Sequence, residues 1–256
     1  MRISDKVISL AAMAGFIMCS GSAQADGLAD LKAALTRLQG QTPLKAVLEI
    51  QRKSRQGEGK ELEENHGKAS IALEDGARGL QLLYGKDLLV RAELEENAKE
   101  KDPKAKTPTL SALRDISASE LRPMISAAGN LLRKMEKAVF KSEKAQDYNG
   151  KPARLLSFDI PLESISEKDR KYIKKYEGSL DIWIGADGTP LASHTKDNTS
   201  GRAFVVITFE AKSEDQSTYS VAGERLITIR KESKSSGSGA GEKGESQVTK
   251  TLTVQS

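Results

Sequence analysis

Hydrophobic positions along the chain change their period several times, and each change marks a new element. Leu28, Leu31, Leu35 and Leu38 recur at spacings of three and four, which predicts a helix with one apolar face, opened by Asp26 or Gly27 and closed by Gly40 ahead of Pro43. From Leu44 the period becomes two. Leu44, Ala46, Leu48 and Ile50 alternate with Lys45, Val47 and Glu49, as in a half-buried strand. After the turn at Gly57-Glu58-Gly59-Lys60, Ala69, Ile71 and Leu73 form a second apolar face, and Asp75-Gly76 signals a hairpin. Leu80, Leu82 and Tyr84 continue it. Gly85-Lys86-Asp87 predicts another turn, and Leu88, Val90, Ala92 and Leu94 a fourth strand.

Glu95 to Pro108 is charged, lysine-rich and aperiodic, which predicts a mobile surface loop. Leu110 and Leu113 begin a helical stretch. Leu121, Met124, Ile125, Ala128, Leu131, Leu132 and Met135 mark a longer helix, with Ser117 and Glu120 at capping-box spacing. Pro123 falls inside it and leaves either a later start or a kink. Beyond the helix, Asn149-Gly150 joins a polar run ending at Tyr148 to a strand at Leu156, Phe158 and Ile160, stopped by Pro161. Ser166 to Tyr176 reads as a short basic helix. Further strands follow at Leu180–Ile184, Leu191–Thr195, Phe204–Phe209 and Leu226–Ile229. Ser233 to Ser246 is rich in Gly, Ser, Glu and Lys, a flexible composition. Val248, Leu252 and Val254 alternate after it, so a long last hairpin with a disordered tip is expected. Strands interrupted by helices, with no βαβ rhythm, predict one α+β domain over residues 26–256, built on a curved antiparallel sheet.

The amino terminus adds an address. Arg2 and Lys6, the apolar run Val7 to Met18 and the A-x-A site Ala23-Gln24-Ala25 have the three zones of a secretory signal. The run is shorter than the roughly 20 residues of a membrane span. Cleavage after Ala25 is expected. Cys19 is the single cysteine of the chain, and bulky Met18 before it does not suit lipid attachment. The mature chain therefore uses no disulfide. Across the whole chain of 256 residues, leader included, 30% are charged, with a formal net charge of +4 and both signs interspersed. That pattern lacks the basic stripe of a nucleic-acid partner, and no second long apolar segment offers a membrane span.

Candidate chemistry is sparse, and neither an enzyme nor a cofactor is expected. His66 beside Gly67 reads as a surface residue at a strand end. His194 and Asp197 are too few for a metal site. Gly237-Ser238-Gly239-Ala240-Gly241 lacks the flanking strand and helix of a phosphate loop, and no G-x-S-x-G elbow surrounds a serine. Glu63-Glu64 and Glu95-Glu96 read as solvated pairs. Binding is the better class. A curved sheet that does not close leaves a concave apolar face, where an acyl chain would gain about 0.8 kcal/mol per CH₂ buried. The candidate lining residues are Leu48, Ile50, Ile71, Leu73, Leu82, Val90, Leu132, Phe158, Ile182, Ile184, Phe204 and Val206. An ordinary filled core accounts for the same periodicity.

The order of elements resembles the LolA/LolB-like periplasmic lipoprotein carriers. The matching parts are the helix Leu28–Leu38, the strand Leu44–Gln51, the segment Tyr148–Leu156 (YNGKPARLL) and the segment Leu180–Leu191 (LDIWIGADGTPL). The resemblance implies an incomplete β-barrel lidded by helices, in a soluble periplasmic carrier of a lipid or of lipoprotein acyl chains. The alternative is a periplasmic interaction or sensor protein that uses the same fold to bind an envelope protein.

Overall fold

The computed structural model describes residues 26–59, 62–203 and 207–255. The expected leader at 1–25, with its cleavage site, and the candidate residues Phe204 and Val206 lie outside the described residues.

The leading helix α1 (Gly27–Arg37) starts where Asp26 accepts hydrogen bonds from the backbone N–H groups of Leu28 and Ala29, at 3.0 and 3.2 Å. Its Leu31, Ala34 and Leu35 are buried. Three strands follow: β1 (Leu44–Gln56), β2 (Glu63–Gly76) and β3 (Gly79–Leu83). Next come the helices α2 (Lys86–Lys101), α3 (Pro108–Leu113), α4 (Ala118–Ile125) and α5 (Ala127–Glu136). Seven further strands complete the sheet: β4 (Val139–Ala145), β5 (Arg154–Ile160), β6 (Ile173–Ile184), β7 (Pro190–Ala203), β8 (Ile207–Ala222), β9 (Arg225–Gly239) and β10 (Glu242–Val254). A four-residue helix, α6 (Glu167–Arg170), precedes β6.

All ten strands form one antiparallel sheet in the order β3-β2-β1-β10-β9-β8-β7-β6-β5-β4. The last strand in sequence thus lies beside the first, as a barrel would begin, but β3 and β4 stay at opposite edges and the sheet is open. The α+β class and the curved antiparallel sheet expected from the sequence are both present. Edge strand β4 reads VFKSEKA, and its charged and polar residues discourage further pairing at that edge.

One expected strand is a helix. Leu88, Val90, Ala92 and Leu94 lie on α2, and the charged stretch from Glu95 to Lys101, expected as loop, continues the same helix. The segment is built largely of Leu, Ala, Glu, Lys and Arg, which favour helix, and Val90 is its one β-branched residue. Leu88, Ala92 and Glu95, spaced four and three apart, share its more buried side. Other differences are smaller. The helix expected at 166–176 stops at Arg170 because Ile173, Tyr176 and Gly178 join β6. The kink left open at Pro123 appears as a break at Ser126, where α4 ends and α5 begins. Ser117 accepts the backbone N–H of Glu120, as its spacing predicts. The hairpin expected to have a disordered tip is regular strand up to the two-residue turn Ala240-Gly241, where φ is 55° and 84°. Backbone pairing with β8 on one side and β1 on the other holds these glycines and serines.

The helices cover the apolar side of the sheet and close two adjoining cores. In one, β1 and β2 meet α3 and α4 through Leu48, Ile50, Ile71, Leu121, Met124 and Ile125. In the other, β5 and β6 meet α1 and α5 through Leu156, Ile182, Ile184, Leu31, Leu35 and Leu131. Gly67 lets α3 lie close on β2: a Cβ there would sit 2.8 Å from the backbone N of Ala112 and the carbonyl of Pro108. Arg225, at the start of β9, staples that strand to the end of β2 and to the chain after α1. It is 2% exposed, its Nη1 lies 2.8 Å from Asp75 Oδ2 without a well-aligned hydrogen bond, and its Nε donates to the Gly40 carbonyl at 3.4 Å.

Candidate functional site

The proposed apolar lining divides between these two cores. Leu48, Ile50, Ile71 and Leu73 pack in the first, and Phe158, Ile182 and Ile184 in the second, all at most 3% exposed. Leu82 and Leu132 are partly buried against the first and second cores respectively. Val90 is 44% exposed on α2, beside the exposed Leu89 and Leu94. Helix side chains therefore fill the space that these strand residues would offer a guest.

The other candidate groups separate. His194 and Asp197 are three residues apart on one strand and so point to opposite faces of the sheet. His194 Nε2 is 2.6 Å from Glu214 Oε1, while Asp197 accepts the Tyr176 hydroxyl at 2.6 Å. Burial, reinforced by that carboxylate, raises the Tyr176 phenol well above its ordinary range. His66 is exposed on β2. No group of three or more metal-ligating side chains occurs among the described residues. Glu95 is not a solvated carboxylate: its two oxygens accept the backbone N–H groups of Thr109 and Leu110, both at 3.0 Å, and cap α3. Sequence spacing gives no sign of this contact, since the donors lie across an irregular connection.

A polar seam ends the helix-covered region. Lys250, 4% exposed, donates from Nζ to Glu120 Oε2 at 3.0 Å, and Lys134 Nζ to Thr195 Oγ1 at 3.3 Å. The Lys250 hydrogen bond holds the Glu120 carboxyl below its ordinary value, against the opposing effect of burial. Burial pushes Asp215 upward, but nearby Lys231, 3.2 Å away, with Ser233 and Lys134, brings the net shift down. Desolvation lowers the Lys134 ammonium, with Asp215 opposing.

Beyond the seam the long strands continue without apolar cover. On the side that carries Leu48 and Ile50, β1 next presents Arg52 and then Ser54. Register places Ser54 beside Ser246, Ser246 beside Ser235, and Ser235 beside Ser213. The next row contains Gly244, Gly237 and Ala211. This low floor borders a cleft of about 1210 Å³, whose facing wall is the connection from α2 to α3. Lys99, Lys104, Lys106 and Arg114 line that wall and form no ion pair with any described residue. At the back, Arg52 Nη1 binds both oxygens of Asp115, at 2.9 and 2.8 Å. Arg55 bridges Glu64 and Glu245 at the strand ends, at 2.8 and 3.3 Å. The cleft offers hydroxyls and backbone groups, with cations gathered on the helical wall and the carboxylates of Glu63, Glu64, Glu242 and Glu245 on the strands, a surface fitted to holding a polar ligand.

No family model, curated protein or solved structure matches the chain.

Proposed function

We propose that this is an exported, non-catalytic binding protein of the periplasm, built on a LolA/LolB-like scaffold, that engages an envelope partner through the uncovered polar half of its sheet. One contrast supports the reading: the apolar half of the inner face is filled by the protein's own helices, whereas the polar half stands open as a cleft. The leading helix, open antiparallel sheet and helical cover support the choice of scaffold. The leader-like amino terminus supports export. Because Cys19 lies in the expected leader, single cysteines carrying a photo-cross-linker can be placed freely in the mature chain. A cross-linker at Ser235, on the cleft floor, should capture an envelope component in cells, and one at Thr253 should not. Equal capture at both positions, or none at either, would count against the cleft.

A second reading is a carrier of acyl chains. It is favoured by Leu83, Tyr84, Leu89, Val90 and Leu94, which are exposed on and after edge strand β3, and by the break between α4 and α5. Helices that shift aside would admit a chain to the buried strand residues. Organic extraction of the natively purified protein, followed by mass spectrometry, separates the two readings: co-purifying lipid at near one per protein supports the carrier.

A further inference from the structure

We infer that the cleft takes an extended soluble polyanion, a chain bearing spaced phosphate-like groups among hydroxyls. The inference rests on the proposed use of the cleft and names its ligand chemistry. Lys99, Lys104, Lys106 and Arg114 converge on one wall from the end of α2, the loop after it and the end of α3, and no described carboxylate pairs with them. Cations that share one wall without an ion-pair partner among the described residues repel one another, and an anion relieves that repulsion. The wall is also held in place. Glu95 ties α2 to the start of α3, and α3 lies against β2 at Gly67. The acids lining the cleft, Glu63, Glu64, Glu242 and Glu245, all stand on β2 and β10 and none on the helical wall; Arg55 engages Glu64 and Glu245, and Glu63 and Glu242 form no ion pair with a described residue. A bound chain would therefore turn its anionic groups to the helical wall and its hydroxyls to the serine floor. The exposed apolar residues of β3 and α2 are outside the cleft, which favours a soluble polymer over a lipid headgroup.

The test is calorimetric titration of the purified exported protein with long-chain polyphosphate, repeated over a range of salt concentrations. Neutral dextran and phosphatidylglycerol vesicles serve as separate arms. Polyphosphate should bind, dextran should not, and affinity should fall as salt rises. The variant Lys104→Gln/Lys106→Gln should bind about tenfold more weakly, with a salt dependence shallower by roughly two, one for each cation removed. The exposed pair Lys32→Gln/Lys137→Gln, away from the cleft, should bind like the parent. Equal weakening in both double variants would reduce the effect to general net charge and overturn the inference. Binding of vesicles through the same lysines without binding of polyphosphate would overturn it in favour of a headgroup. No binding of polyphosphate, while Ser235 still cross-links its partner, would refute the ligand class and leave the proposed function standing. Loss of both would remove the two together.

Discussion

Strand β1 passes through two different environments. Its first half, Leu44 to Ile50, alternates between buried and more exposed residues beneath the helices, and its second half, Arg52 to Gln56, carries polar side chains on both faces. β9 repeats the division. Arg225 to Thr228 are buried, whereas Ser233 to Gly239 contribute serines, a lysine and glycines to the uncovered region. The same backbone ladder thus rests on different physics at its two ends. Burial of apolar surface holds the covered half. Cross-strand hydrogen bonding between neighbouring strands on both sides holds the polar half, where substitutions should cost little and surface chemistry is free to vary. The part of the fold that holds stability and the proposed recognition surface are thereby separated along single strands.

The sharpest way to break the comparison is at the staple of the covered half. Arg225→Met leaves the poorly exposed Asp75 without its cation and should cost about 3–5 kcal/mol in denaturant unfolding. The double variant Arg225→Met/Asp75→Leu should recover part of that loss, because no uncompensated charge remains. Leu48→Ala comes next, at about 2–4 kcal/mol for a cavity beneath α4. Gly67→Ala should cost about 1–3 kcal/mol, since its Cβ collides with the α3 backbone. It should also weaken capture at Ser235, since the displaced α3 carries part of the cleft wall.

At the seam, Glu120→Gln replaces the charged partner of buried Lys250 and should cost about 1 kcal/mol at neutral pH. The native pair has a defined pH signature. Glu120 and Asp215 are both held below their ordinary values of 4.5 and 3.8. The unfolded chain therefore binds more protons in that range, and their stabilisation is complete above those values and lost as pH falls below them. Unfolding midpoints measured across pH 2–7 should show a smaller acid-side decline for Glu120→Gln than for the parent. In the polar half, Ser235→Ala and Ser246→Ala should change stability by no more than about 0.5 kcal/mol. A larger cost there would mean that the cleft floor is structural.

How legible this was from sequence followed the same division. Alternation at Leu44–Ile50 and Ala69–Leu73 identified the strands and the face they bury, because one-sided burial imposes a period of two. At Leu88–Leu94 it misled: four residues at spacing two also place Val90 and Leu94 four apart on a helix, and helix-forming composition decided between them. The polar halves of β8, β9 and β10 were hidden for the opposite reason. Serine, lysine and glycine carry no hydrophobic period, and their strand state comes from neighbours distant in sequence. Of the candidate site, the apolar residues were found as a set, but side chains from α1, α4 and α5 occupy the hollow they would have lined. The cationic wall was visible only as a lysine-rich stretch, since nothing in the spacing of Lys104, Lys106 and Arg114 reveals that β9 and β10 face them.

Amide hydrogen exchange read along β1 and β9 tests the division most directly. Residues 44–50 and 225–228 should exchange only through global unfolding, at the free energy of the whole protein. Residues 53–56 and 233–239, in the same strands, should exchange through local opening at much lower cost. Uniform protection from end to end, or rapid exchange at 44–50 under native conditions, would contradict a filled, helix-locked half beside an open polar one.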